Sequence, residues 1–171
     1  MNETMECILS RRSTRKFLNK PIPQEDLDLI LQAALHAPSG QGLQTWQFTL
    51  VRNREKIQQL AAAIREELDR PGYNMYEPEV ILIPSNNKDS IFGREDDACA
   101  LENIFLAAHS LGIGSVWINQ LQNVCDRPAI RQVLDSFGIP SDHVVYGLAA
   151  LGYPDDTKAE KARIGKVVVV E

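Results

Sequence analysis

The stretch EDDACALENIFLAAHSLGIGSVWIN, residues 95–119, changes its apolar period partway along, and that change decides the fold class. Ala98, Leu101, Ile104, Phe105, Ala108 and Leu111 recur at three- and four-residue intervals, the spacing of one helix face. This face is apolar enough to predict a long core helix starting near Glu95. Gly112 can close it in the left-handed conformation that other residues avoid. Ser115 to Asn119 (SVWIN) then reads as a strand.

Upstream, Val80-Ile81-Leu82-Ile83 is a β-branched buried strand, followed by a polar loop through Asn86, Asn87 and Lys88 that is expected to be exposed. Ile57, Leu60, Ala61, Ile64 and Leu68 mark an amphipathic helix, and Trp46, Phe48 and Leu50 alternate with polar neighbours as in a strand. Pro23 with Gln24, Glu25 and Asp26 suits a first helical turn. Leu27, Ile30, Leu31, Ala34 and Leu35 form the buried stripe of that helix, which Pro38 ends. Met5, Ile8 and Leu9 give a short first helix stopping near Arg11. Downstream, Asp126 is expected to cap a helix carrying Ile130, Val133, Leu134 and Phe137, closed by Gly138. His143 to Leu151 and Val167 to Val170 are the last predicted strands. Strands separated by helices imply a central sheet with helices on both faces, an α+β or mixed α/β chain in three layers.

With 171 residues, 44% hydrophobic and 24% charged, the chain is expected to form a single domain over residues 1–171. No repeat or linker divides it. A net charge of −5 argues against a nucleic-acid or membrane-surface binder, since both need a positive field. No apolar stretch approaches the ~20 residues of a membrane span. The N-terminal residues lack the order of charges of a signal peptide, so a cytoplasmic protein is expected. Cys7, Cys99 and Cys125 show no CxxC pair and no histidine at metal-ligand spacing, which suits reduced thiols and no metal.

Four segments bear chemistry. Arg11, Arg12, Ser13 and Arg15 (RRSTR) place guanidinium forks and a hydroxyl where they could hold a phosphate monoester. Residues 37–46, APSGQGLQTW, offer glycines for close backbone approach to a flat ligand, with Ser39 and Gln44 as donors. The third is LGIGSVWIN, residues 111–119, and the fourth is LGYP, residues 151–154, followed by Lys161 and Arg163. Gly112-Ile-Gly114 is not a dinucleotide fingerprint, because the third glycine is missing and the glycines follow a helix instead of opening one.

In this order and spacing the four segments resemble the nitroreductase family of flavin-dependent oxidoreductases, and the resemblance spans almost the whole chain. It implies a three-layer α+β fold with a mixed or antiparallel sheet, a homodimer with an FMN at each of two sites in the subunit interface, and NADH or NADPH as electron donor. Hydride would pass through the flavin to an electron-poor acceptor such as a nitroaromatic or quinone. Alternatives within the fold are a flavin reductase, a reductive dehalogenase or a flavin-binding protein without turnover. By position, Arg11, Arg12, Ser13 and Arg15 match the motif for the FMN phosphate, ribityl chain and pyrimidine edge. Lys161 and Arg163 match the pair that completes the phosphate site. Pro38, Ser39 and Gly40 match the loop laid against the ring by the partner subunit, and Trp117, Ile118, Asn119 and Gln120 the segment passing its reactive N5. Gly42 stands where many members carry a ring-contacting asparagine, and Thr45 where proline is frequent. The flavin carries the chemistry, so no side chain is assigned a catalytic role, His36, His109 and His143 included. Residues between about 65 and 78 receive no role.

Overall fold

The computed structural model describes residues 1–155 and 162–171. Among them five strands form an antiparallel sheet: β1 (Trp46–Val51), β2 (Val80–Asn87), β3 (Gly114–Ile118), β4 (His143–Val144) and β5 (Leu148–Gly152). The spatial order is β1-β2-β5-β3, and β4 pairs with the far end of β2. The helices are α1 (Glu3–Ser10), α2 (Gln24–Leu35), α3 (Arg54–Glu67), α4 (Gly93–Ser110) and α5 (Pro128–Ser136).

The sheet buries both faces because its central pairing stretches, Val80–Ile83 and Leu148–Leu151, are apolar at every position, and alternation sends successive residues to opposite sides. Ile81, Ile83, Val116, Ile118, Leu148 and Ala150 join Ile57, Leu60 and Ile64 of α3 and Ile130 and Leu134 of α5. Val80, Leu82, Ala149 and Leu151 join Leu27 and Ile30 of α2 and Leu101, Ile104 and Ala108 of α4. The three layers are therefore α2 and α4, the sheet, and α3 and α5, an α+β arrangement. Gly112 (φ 73°) and Gly138 (φ 78°) close α4 and α5 in the left-handed conformation their sequence positions predict.

Five expectations need correction. The predicted loop at Asn86 and Asn87 continues β2, because Asn86 pairs with Trp46 on one side and Val144 on the other; Lys88 begins the turn beyond. The predicted strand from His143 to Leu151 is two, since β4 pairs with Asn86 and Asn87 whereas β5 pairs with Val80 to Leu82. Asp126 does not cap α5: Arg127 holds the N-cap position without a side-chain bond, and the Asp126 carboxylate pairs with Lys88 at 2.9 Å. Leu35 does not complete the buried stripe of α2: it is the last residue of the helix and stands half exposed where the helix ends. Val167 to Val170 form no strand and stand 68–90% exposed, because no strand among the described residues pairs with them.

The segment after α1 lies directly on the start of β3. Thr14 donates its backbone N–H to Ser115 O at 2.9 Å, and a Cβ on Gly114 would lie 2.5 Å from Thr14 Oγ1. Gly114→Ala is expected to lower stability toward the upper end of about 1–3 kcal/mol by overpacking. Gly112→Ala, with open space around the added methyl, is expected to lose only about 1 kcal/mol to the left-handed backbone. Urea unfolding of both variants checks the order.

Candidate functional site

The basic stretch is strapped down along its length. Beyond the Thr14–Ser115 bond, Phe17 bridges Pro154, Leu18 N–H donates to Tyr153 O at 2.8 Å, and Asp155 N–H donates to Lys16 O at 3.0 Å. Residues 13–18 therefore join the start of β3 to the end of β5, bringing together the first, third and fourth chemistry-bearing segments.

A cavity of about 260 Å³ opens where they meet, lined by Ser10, Arg12, Ser13, His109, Gly114 and Pro154. Arg12 donates from Nη1 to Leu9 O and Arg11 O, both at 2.9 Å, which orients its guanidinium. Arg11 lies 4.0 Å from Glu102 and over the Phe105 ring. His109 Nε2 is 2.7 Å from Ser10 Oγ; burial first, then Arg11 and Arg12, hold its pKa below the usual histidine value. His36 and His143 are likewise hydrogen-bonded, to Gln32 O and Ser85 Oγ.

Arg15 is exposed and opens on a second cavity, of about 470 Å³, with Asn74, Tyr76 and Arg54 among its walls. Its guanidinium carbon sits 5.9 Å from the Tyr76 ring centroid. Met75, Tyr76 and Glu77 all have positive φ (57°, 65° and 50°), a left-handed turn that L-residues avoid. Buried Met75 anchors it, and Asn74 Oδ1 accepts from Tyr76 N–H at 3.0 Å. This turn falls within residues 65–78, to which the sequence pattern assigns no role.

β3 carries the chain about 13 Å from Ser115 to Asn119 at ~3.3 Å per residue. Trp117 is 41% exposed and packs against Phe105 of α4, whereas Ile118 faces the opposite core and offers only backbone to the surface. Asn119 is exposed, and Gln120 Oε1 accepts from Tyr73 O–H at 3.4 Å.

The Pro38–Gly42 loop sits elsewhere. Ser39 and Gly40 bond to Asp96, near the start of α4. Arg12 and His109 flank its far end, about 20 Å away at ~1.5 Å per residue. Within one chain the loop is thus apart from the arginine cavity. Gly42 (φ 67°) is exposed in this loop. Arg163 is exposed and without secondary structure, and Lys161 lies outside the described residues.

Sequence reasoning missed the polar group beneath the loop. Asp96 and Asp97 are only 4% and 1% exposed, and Asn86 is fully buried. Asn86 Nδ2 donates to Asp97 Oδ1 at 3.0 Å, and Thr45 O–H donates to Asn86 Oδ1 at 2.6 Å. Asp97 Oδ2 is buried with no hydrogen-bond partner. Burial pushes the Asp97 carboxyl up to about 7, the Asn86 bond opposes this and Asp96 adds to it. A signal was present: Asp97 falls on the stripe of Leu101, Ile104 and Ala108. Among the described residues no group of His, Cys, Asp and Glu could hold a metal ion, and no helix is long and apolar enough to cross a membrane.

The sequence model of the nitroreductase family matches residues 8–80 and 72–153, so this chain belongs to the nitroreductase family. It superposes on a nitroreductase with bound FMN from Bacteroides fragilis with TM-score 0.92, 39% identity and full coverage of both chains. It is 32% identical to an NADPH-flavin oxidoreductase of Vibrio harveyi, over 99% of this chain and 73% of that one. It is 26% identical to an iodotyrosine deiodinase of Thermotoga neapolitana, over 90% and 89%.

Asp97 has a pH consequence. Its folded-state pKa, about 7, lies above its ordinary value of 3.8, so protonation favours the fold. Between these values the folded form holds a proton that the unfolded chain has lost, and stability falls as pH rises. Relative to Asp97→Asn, the wild type is expected to be most stable near pH 4, to decline toward about pH 7 and to stay level above it. Urea unfolding of both proteins at several pH values checks this; a difference independent of pH would remove Asp97 from the account.

Proposed function

We propose that this chain is a cytoplasmic NAD(P)H-dependent FMN oxidoreductase, one FMN-binding domain over its whole length, acting as a homodimer on an electron-poor acceptor such as a nitroaromatic or quinone. The observation that carries this reading is the strapping of the RRSTR stretch to β3 and β5, which brings the Arg12 guanidinium and the Ser10 and Ser13 hydroxyls to one cavity of a net-acidic chain.

The residues present fit FMN. Arg11, Arg12 and Ser13 supply the donors a dianionic phosphate requires, and Lys161 and Arg163 are the further cations for it. Arg15, on the second cavity, would stand at the pyrimidine edge, where its charge would favour the negative charge of the reduced ring. Trp117, Ile118, Asn119 and Gln120, at the end of β3, would border the ring, their backbone groups orienting it for hydride transfer. Bound FMN supplies the hydride chemistry, so the protein binds, orients and excludes water without a nucleophile or general base.

A dimer accounts for the separated loop. Pro38, Ser39, Gly40 and Gly42 lie some 20 Å along α4 from the arginine cavity, at ~1.5 Å per residue, so a second copy supplies them to the ring. It also accounts for apolar surface: α1 has no buried residue, and its Met5, Ile8 and Leu9 are 43–52% exposed. The three cysteines are free, in keeping with a reducing cytoplasm. Free flavin as acceptor is a second reading, favoured by the similarity to the Vibrio harveyi NADPH-flavin oxidoreductase.

The first test is the visible absorption spectrum of purified protein, before and after anaerobic addition of NADH and then NADPH. Flavin absorption that bleaches with either nucleotide is expected; a protein that stays colourless after incubation with FMN would overturn the reading. Turnover of nitroaromatics, quinones and free flavins then ranks the acceptors. Arg11→Ala is expected to weaken FMN binding by about 1.5–3 kcal/mol, the worth of one charge-assisted hydrogen bond, in a fluorescence titration. Sedimentation should give a dimer.

A further inference from the structure

The buried acids at the start of α4 have no part in the proposed chemistry, yet Asp96 commits both carboxylate oxygens to the Pro38–Gly42 loop. Oδ2 accepts from Ser39 O–H at 2.8 Å, and Oδ1 accepts from Gly40 N–H at 2.8 Å. Ser39 Oγ in turn accepts from Gln44 N–H at 3.0 Å, which folds the loop back over its own start.

The loop has little else to hold it. From Pro38 to Gln44 no residue is buried, so no apolar anchor fixes it. Its backbone is left-handed at Gln41 (φ 54°), Gly42 (φ 67°) and Gln44 (φ 49°), a state non-glycine residues adopt only when their surroundings impose it. Gly40 is pressed against the residue that precedes α4: a Cβ there would lie 2.3 Å from the Phe92 ring. A second fastening, Thr45 to Asn86 to Asp97, holds the exit of the loop, so Asp96 governs its entry. The Asp96 side chain lies in the first turn of α4, at the positive end of the helix, where a carboxylate suits the backbone N–H groups left free.

We propose that Asp96 is a positioning residue for the flavin ring: through Ser39 and Gly40 it sets the conformation of the loop that one subunit lays against the isoalloxazine of the other. This rests on the FMN-oxidoreductase reading, and Asp96, buried beneath the loop, acts through those two residues. The consequence is a division of labour along α4. Its C-terminal end borders the phosphate cavity of its own subunit, while its N-terminal end shapes the ring site of the second.

Asp96→Ala, Asp96→Asn and Ser39→Ala, each prepared as the FMN-loaded dimer, test this. The readouts are visible circular dichroism of the flavin, its midpoint potential and the FMN dissociation constant, beside far-ultraviolet circular dichroism for the fold. Asp96→Ala is expected to change the visible dichroism, shift the potential and weaken FMN at least tenfold. Asp96→Asn, which keeps one acceptor for Gly40 N–H, should recover part of each. Ser39→Ala leaves α4 intact and keeps the inference testable should Asp96→Ala not fold; a smaller dichroic change of the same sign is expected. A folded Asp96→Ala, or failing that Ser39→Ala, with wild-type dichroism, potential and FMN affinity would overturn the proposal. Wild-type protein that takes up no FMN would instead overturn the functional reading on which it rests.

Discussion

Thr14 sits so close to Gly114 that no side chain fits between them, and the site hangs on that contact. Without it the RRSTR stretch would be an exposed basic turn following a helix that buries nothing. With it, Thr14 and Ser13 are held against Ser115, and the chain runs on to meet Tyr153 and Pro154 at the end of β5. Guanidinium groups repel one another, and gathering them has to be imposed by structure around them. Here the backbone bonds to β3 and β5, the Glu102 carboxylate beside Arg11 and the carbonyls beneath Arg12 do so.

α4 organises what remains. It is buried against the sheet and α2 through Leu101, Ile104 and Ala108, and its two ends have different surroundings. At its C-terminal end, closed by Gly112, burial and then Arg11 and Arg12 hold the His109 pKa down and so favour its neutral form. At its N-terminal end two consecutive acids, Asp96 and Asp97, are taken out of water. Asp96 has both oxygens bonded, whereas Asp97 has one oxygen unpartnered, and burial raises the Asp97 carboxyl. A helix rigid over this length keeps the arginine cavity and the Pro38–Gly42 loop at a fixed separation.

Much of this is legible in the residue pattern, and the errors share a cause. Helices α2, α3 and α4 follow from apolar spacing within a dozen or so residues, and the closures at Gly112 and Gly138 from the conformational freedom of glycine. Asn86 misleads because its polarity speaks for a loop, while its pairing with Trp46 and Val144, some forty and sixty residues away, speaks for a strand. Val167 to Val170 mislead in the opposite sense: β-branched composition fits a strand, but a strand needs an edge to join. In the site, Arg11, Arg12 and Ser13 announce themselves by type and order, whereas Asp96 and Asp97 look like ordinary first-turn acids.

The amino-acid sequence by itself determined the three-layer arrangement of helices about a sheet, the helices and the donor chemistry, because helical period and side-chain type are properties of neighbouring residues. Only the tertiary structure decided that residues 13–18 join β3 to β5, that the Ser39–Gly40 loop fastens to Asp96 some twenty ångströms, at ~1.5 Å per residue, from the arginine cavity, and that Asp97 is denied water. Those outcomes depend on which distant segments pack together, and burial and long-range pairing are written in no local window of the chain.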